Sequence, residues 1–168
     1  MMKKKIDIVD KAKKYAYKVH DGQFRKDGKT PYIFHPAEVV NKLKKDFGIK
    51  DPNVLAIAWL HDVVEEGGDL DDIHKVFGGK IADGVNMLTR WDHYGKEVDY
   101  ALYLLKMKMV ANDDHKLIKY CDCMVNLDDM KNIPDLTDDE KEKYIAKKKL
   151  MLEKIVPDIF KYLDKIKK

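Results

Sequence analysis

Apolar residues recur every three or four positions along most of the chain, and no segment alternates apolar and polar residues long enough to predict a strand. The pattern predicts an all-α fold, a compact bundle of about nine helices. The first should carry Ile6, Val9, Ala12, Tyr15, Ala16 and Val19 on one face and end near Asp21-Gly22. A glycine-containing loop, Arg25 to Thr30, follows. Pro36 fits the first turn of a second helix reaching Asp46, because its missing N–H would lack a partner there anyway, and Gly48 stops that helix. His35, directly before Pro36, is expected in extended backbone just ahead of the helix. Asp51-Pro52 repeats the start signal, and the run from Val54 to Leu60 is apolar on every side, as a helix through the centre of the molecule must be.

Downstream, Asp69 to Phe77 predicts a short helix closed by Gly78-Gly79, and Ile81 to Thr89 another with Ile81, Val85 and Leu88 inward. After a polar break from Trp91 to Gly95, helices are expected over Val98 to Ala111 and Lys116 to about Met130, the region ending at Pro134. Thr137 and Glu140 form a capping box that opens a long helix to about Val156, where Pro157 should bend the chain into a final short helix. The Tyr100, Tyr103, Met107 stripe has helical spacing and reads as packing, as does Trp59, whereas Trp91 could flank or cover a cleft. His74, His93 and His115 stand among polar residues and read as surface groups.

Composition narrows the class. The 168 residues suit one ordinary domain, and no internal repeat or low-complexity linker divides residues 1–168. Hydrophobic residues at 45% exclude disorder, and charged residues at 38% interrupt every run that might span a membrane. The basic start lacks the apolar stretch of an export signal, so a cytoplasmic protein is expected. Cys121 and Cys123 are spaced too tightly for an ordinary disulfide and wrongly for a C-x-x-C clip, and read as small buried hydrophobes. Basic residues gather at Lys3 to Lys5, Lys11 to Lys14 and Lys165 to Lys168, yet acids interleave so thoroughly that net charge is only +3. Solvated helix faces explain this better than a grip on nucleic acid.

Polar groups inside the apolar helices carry the chemistry. His61-Asp62 ends the central apolar run, and adjacent helical residues can both lean on one ion. Glu65, four residues after His61, projects on the same side. Asp122 and Asn126 share one face of a largely apolar helix, and His35 can point back into the core from before Pro36. Singly, each has an ordinary structural explanation. Together, two imidazoles and two carboxylates make a mixed nitrogen and oxygen set suited to Mn, Fe, Co or Zn, with positions open for water and substrate.

His35, then His61-Asp62, then Asp122 is the H…HD…D pattern of the HD-domain phosphohydrolase superfamily, which the chain resembles. The stretches HDGQFRKDGKTPYIFHP (His20 to Pro36) and AWLHDVVEE (Ala58 to Glu66), followed in order by Phe77-Gly78, Leu88-Thr89 and KYCDCMVN (Lys119 to Asn126), resemble the hydrolase domain of the Rel/SpoT alarmone enzymes over roughly residues 6 to 130. A domain of this length is similar to the small alarmone hydrolases, including metazoan SpoT homologues. The resemblance implies hydrolysis of guanosine 3′,5′-bispyrophosphate at its 3′ pyrophosphate with the help of Mn²⁺, and no synthetase activity. It implies His35, His61, Asp62 and Asp122 as metal ligands, Glu65 and Glu66 as the catalytic acidic pair, Arg25 and Lys26 as a nucleotide-gripping pair, and Asn126 near the ribose. His20 and Tyr32 match the motif but read as packing or hydrogen-bonding residues.

The chain departs from the family pattern at Glu66, where aspartate is usual, at Gly67-Gly68, which replaces a threonine-containing turn, and at Asp128, where an arginine often stands. These departures bear on substrate choice and leave the metal set intact. Two other readings therefore accompany the first: hydrolysis of another nucleotide, such as the 2′-phosphate of NADPH or a nucleoside phosphate, and a non-catalytic nucleotide-binding domain.

Overall fold

The computed structural model describes residues 7–92, 94–133 and 136–166. Ile6, the basic run Lys3 to Lys5, His93, Pro134 and the terminal Lys167 and Lys168 lie outside the described residues. The described residues form eight α-helices and a short 3-10 turn, with no named strand. No helix among them is long and apolar enough to cross a membrane.

Helix α1, Ile8–Val19, is capped by the Asp7 carboxylate, which accepts from the Val9 N–H, and it buries Ala12 and Ala16 against α3, Pro52–Leu60. Small side chains on this face let the two helices approach closely. Helix α3 is opened by Asp51, which accepts from the Asn53 N–H at 2.8 Å, with Pro52 as its first residue. Every residue from Val54 to Leu60 is buried, and α1, α2, α5 and α7 pack around them. Burial of each Val, Leu and Ile here contributes roughly 1.5–3 kcal/mol.

Helix α2, Phe34–Phe47, begins two residues before Pro36, so His35 lies within its first turn rather than in extended backbone ahead of it. The reason is local: the Phe34 and His35 N–H groups bond to the Pro31 and Tyr32 carbonyls, and the proline falls among the N-terminal positions that need no N–H. Gly48, at φ 66°, closes α2 in the left-handed conformation, with the Ile49 N–H reaching back to the Leu43 carbonyl at 3.1 Å. Gly78 separates α4, Leu70–Phe77, from α5, Gly79–Leu88.

Helix α6, Tyr100–Met109, is capped by Asp99, and α7, Asp113–Asp129, by Asn112. Tyr103 and Met107 are core residues, as is Trp59. A 3-10 turn, Met130–Asn132, leads toward the reciprocal capping box, in which the Glu140 carboxylate accepts from the Thr137 N–H at 2.9 Å. Helix α8, Asp138–Ile166, then runs unbroken through Pro157, contrary to the bend expected there. Packing overrides the proline: Ile155 and Ile159 are buried on either side of it, and Asp158 and Tyr162 bond to Lys116 and Asp114 of α7. His115 also departs from expectation. It is half-buried beneath Gly84 rather than on the surface.

Candidate metal centre

Where α3 ends, the chain does not continue as helix. His61 caps α3, and residues 61–67 form a succession of turns that closes through Gly67, at φ 102°. Gly68 follows so tightly that a Cβ there would stand 2.4 Å from Val63 Cγ1 and 2.8 Å from the Val63 carbonyl oxygen. The Gly67-Gly68 departure noted in the sequence is thus a steric requirement of this turn. Glu65 reaches the site from the turn rather than from a continued helix face.

His61 donates from Nδ1 to the Ala58 carbonyl at 2.8 Å, which aims Nε2 into the molecule. There it lies 3.3 Å from Nε2 of His35 and 3.3 Å from Oδ1 of Asp62. Asp62 Oδ2 stands 3.4 Å from His35 Nε2. His35, His61 and Asp62 could hold a metal ion: one ligand atom from each falls within 4.8 Å of the others. Asp122, from the middle of α7, adjoins them with Oδ1 at 3.1 Å from His35 Nε2 and 3.8 Å from His61 Nε2. Its Oδ2 is held by Lys119, one turn earlier on α7, at 2.7 Å.

Two ring nitrogens and two carboxylates converging in a buried volume favour positive charge between them. Burial lowers His35 and works against a charge on His61, yet Asp62 and Asp122 outweigh it and push His61 up to about 10. Burial also opposes ionisation of both carboxylates, and it too is outweighed: His61 holds Asp62, and Lys119 holds Asp122, well below the usual range. A divalent cation satisfies the same demand, and the mixed donor set fits one.

Tyr32, read from sequence as packing or hydrogen bonding, does the latter at a decisive atom: its hydroxyl donates to Asp62 Oδ2 at 2.7 Å. His20 packs on the Tyr32 ring and bonds Gln23 through Nδ1. Glu65 Oε1 accepts from the Arg90 N–H at 2.5 Å, and burial followed by the charge of Asp62 raises its carboxyl above the ordinary value. Glu66 is raised by burial, by Asp62 and by Glu65.

The cluster floors a cavity of about 500 Å³ whose lining includes Arg25, Lys26, His35, Asp62, Glu65, Glu66, Asp122 and Asn126. His61 sits behind this wall. Arg25 pairs with Asp129 and donates to Asn126 Oδ1 at 3.2 Å, while Asn126 Nδ2 donates to the Asp122 carbonyl at 3.0 Å. Asp128 points elsewhere, exposed and paired with Lys131 at 2.9 Å, so its neighbour Asp129 is the acid that meets the cavity. Sequence reasoning missed Lys119 and Asp129, which helical spacing from Asp122 and Asn126 would have found. It also missed Tyr144 and Lys148, which α8 brings in from beyond the recognised motifs.

Comparison with known proteins places the chain in a family. An HD domain family model matches residues 12–152. The chain is 32% identical over 126 residues to the guanosine-3′,5′-bis(diphosphate) 3′-pyrophosphohydrolase MESH1 of Xenopus tropicalis, covering 74% of this chain and 70% of that protein. It is 32% identical over 126 residues to a GTP pyrophosphokinase rsh of Brucella ovis, of which it spans only 16%. A solved structure of a metazoan ortholog of SpoT, described as hydrolyzing ppGpp and playing a role in starvation responses, superposes with a TM-score of 0.79 at 28% identity, covering 88% of this chain and 85% of that one.

Proposed function

The chain belongs to the HD-domain family, and from that membership we propose that it is a metal-dependent phosphohydrolase that removes the 3′ pyrophosphate of guanosine 3′,5′-bispyrophosphate. The observation that carries this reading is the convergence of two imidazoles and two carboxylates beside a carboxyl of raised pKa, on the floor of a cavity that is also lined by cationic side chains. His35, His61, Asp62 and Asp122 would hold the metal, which we take to be Mn²⁺. When bound, such a metal polarises a phosphoryl oxygen and makes water a stronger acid.

The protein's own residues do the rest. Glu65, with one oxygen fixed by the Arg90 N–H, has the other to take or give a proton, which its raised pKa favours. Glu66 lies beside it on the cavity wall and restrains full ionisation of the pair. Arg25, locked between Asp129 and Asn126, offers a fixed guanidinium face, and Lys26, resting on the Tyr144 ring, a second charge for phosphate. Asn126 links that grip to Asp122 and stands where a ribose would pass. The two buried free cysteines and this class of substrate suit the cytoplasm.

The test is release of phosphate and pyrophosphate from a panel containing guanosine 3′,5′-bispyrophosphate and NADPH, with Mn²⁺ or EDTA, for wild type and Asp62→Ala. Metal-dependent pyrophosphate release from the alarmone, abolished in Asp62→Ala, is expected. Phosphate release from NADPH or another nucleotide in its place would move the substrate, and no turnover with metal bound would leave a nucleotide-binding domain.

A further inference from the structure

The turn that carries Glu65 and Glu66 has no helix to hold it, because α3 stops at Leu60. The Glu66 N–H still bonds back to the Asp62 carbonyl at 3.1 Å, but no helix continues to supply an N–H to the Glu66 carbonyl. That donor comes from 43 residues earlier: Gln23, in the loop between α1 and α2, donates from Nε2 to the Glu66 carbonyl at 3.1 Å. The rest of Gln23 is committed too. Its Oε1 accepts from Nδ1 of the buried His20 at 2.8 Å, which fixes the amide with its nitrogen toward Glu66. Its carbonyl accepts from the Tyr32 N–H at 2.9 Å, and the Tyr32 hydroxyl donates to Asp62 Oδ2 at 2.7 Å.

Asp62, Tyr32, Gln23 and Glu66 thereby close a ring of hydrogen bonds, one side of which ends on a carboxylate of the metal cluster and the other on the acidic turn. Gln23 does not line the cavity, so it reaches the reacting groups only through its neighbours. We propose that Gln23 is the positioning residue of the Glu65-Glu66 pair, setting where these carboxyls stand relative to the Asp62 side of the metal cluster. The Arg90 N–H fixes Glu65 at the tip of its side chain, and Gln23 fixes the backbone beside it. Without Gln23 the tip contact alone restrains a turn whose next residue is Gly67, the least restrained residue type.

The inference rests on the hydrolase reading, and its test separates the two. Gln23→Met keeps the length of the side chain and every main-chain bond while removing both amide bonds; Gln23→Asn keeps the amide but leaves it a methylene short of Glu66. Both are compared with wild type, Glu65→Gln and the Gln23→Met, Glu65→Gln double variant for kcat and KM on guanosine 3′,5′-bispyrophosphate, Mn²⁺ affinity by calorimetric titration, and thermal melting. A displaced acid/base costs the transition state and not the bound ground state, so each Gln23 variant should lower kcat on the order of ten- to a hundredfold with KM within about twofold. Mn²⁺ affinity should hold, and excess metal should not restore kcat. In the Glu65→Gln background the Gln23→Met loss should shrink to less than about threefold, because the group it positions is already gone. Unchanged kcat in both Gln23 variants would overturn the role while leaving the hydrolase standing. A loss carried undiminished into the Glu65→Gln background, or matched by a loss of Mn²⁺ affinity, would overturn it too, since either marks a general structural part. A wild type that turns over NADPH in place of the alarmone, with the same split measured on NADPH, would remove the alarmone and uphold Gln23. A wild type that binds Mn²⁺ and turns over neither would remove both.

Discussion

Replacing Tyr32 by phenylalanine removes one hydroxyl and leaves the ring that packs between His20 and His35 and beneath Arg25. The hydroxyl donates to Asp62 Oδ2 at 2.7 Å, the same oxygen that stands 3.4 Å from His35 Nε2. Its loss frees a carboxylate that must point both oxygens toward imidazoles. Loss of a hydrogen bond to a charged acceptor costs about 1.5–3 kcal/mol of stability, or a Tm drop of roughly 3–12 °C in a chain of this size. Because Asp62 is then oriented only by the cluster it serves, metal affinity should fall about tenfold or more, as is typical when a supporting contact behind a ligand is removed. Calorimetric titration of metal into wild type and Tyr32→Phe, with activity measured against free Mn²⁺, checks this. Restoration of kcat at high metal is expected, since the phenol touches the carboxylate rather than the reacting atoms. Unchanged metal affinity would refute the reasoning.

Three further outcomes follow from the geometry. Gly68→Ala places a methyl against Val63 Cγ1 and the Val63 carbonyl oxygen, and should lose about 1–3 kcal/mol in denaturant unfolding; an unchanged midpoint would mean the turn relaxes freely. Pro157→Ala restores a backbone donor inside α8 at an exposed position, and should raise stability by about 1–3 kcal/mol, with a lowered Tm counting against the argument. Burial and Asp62 raise Glu65, so the folded state binds its proton more tightly than the unfolded chain, and this group's stability contribution is present below the unfolded pKa and lost as pH rises through the folded one. Glu65→Gln, which keeps the acceptor for Arg90, should therefore stabilise the EDTA-treated protein at pH 7 more than near pH 4, whereas equal effects at both would contradict the shift.

Much of this architecture is legible in the chain because its signals are local. Asp51-Pro52, Gly48 and the Thr137 to Glu140 box each fix a helix end through a single bond or dihedral angle, and the all-round apolar run from Val54 to Leu60 has only one place to go. What the sequence hides is tertiary. Pro157 reads as a bend, yet Ile155 and Ile159 hold α8 straight from positions whose partners lie far away in sequence. His115 reads as surface because its neighbours are polar, while Gly84 on another helix covers it. Lys148 is one lysine among many on α8 until that helix is laid across the cavity.

The cavity therefore combines two electrostatic demands of opposite sign. Its floor, drawn from α2, the α3 end and α7, places carboxylates around buried imidazoles and calls for a cation. One side of its wall, drawn from the Arg25 to Thr30 loop and α8, places the Lys26 and Lys148 ammonium groups around a phenol and calls for an anion. The two demands differ in how firmly the structure holds them. The floor is tied by Tyr32, Ala58 and Lys119 through bonds of 2.7–2.8 Å, so a change there disturbs the chemistry itself. On the α8 side Lys26 rests on the Tyr144 ring, while Lys148 also helps to hold the charge of Asp122, so a change at Lys148 reaches the floor.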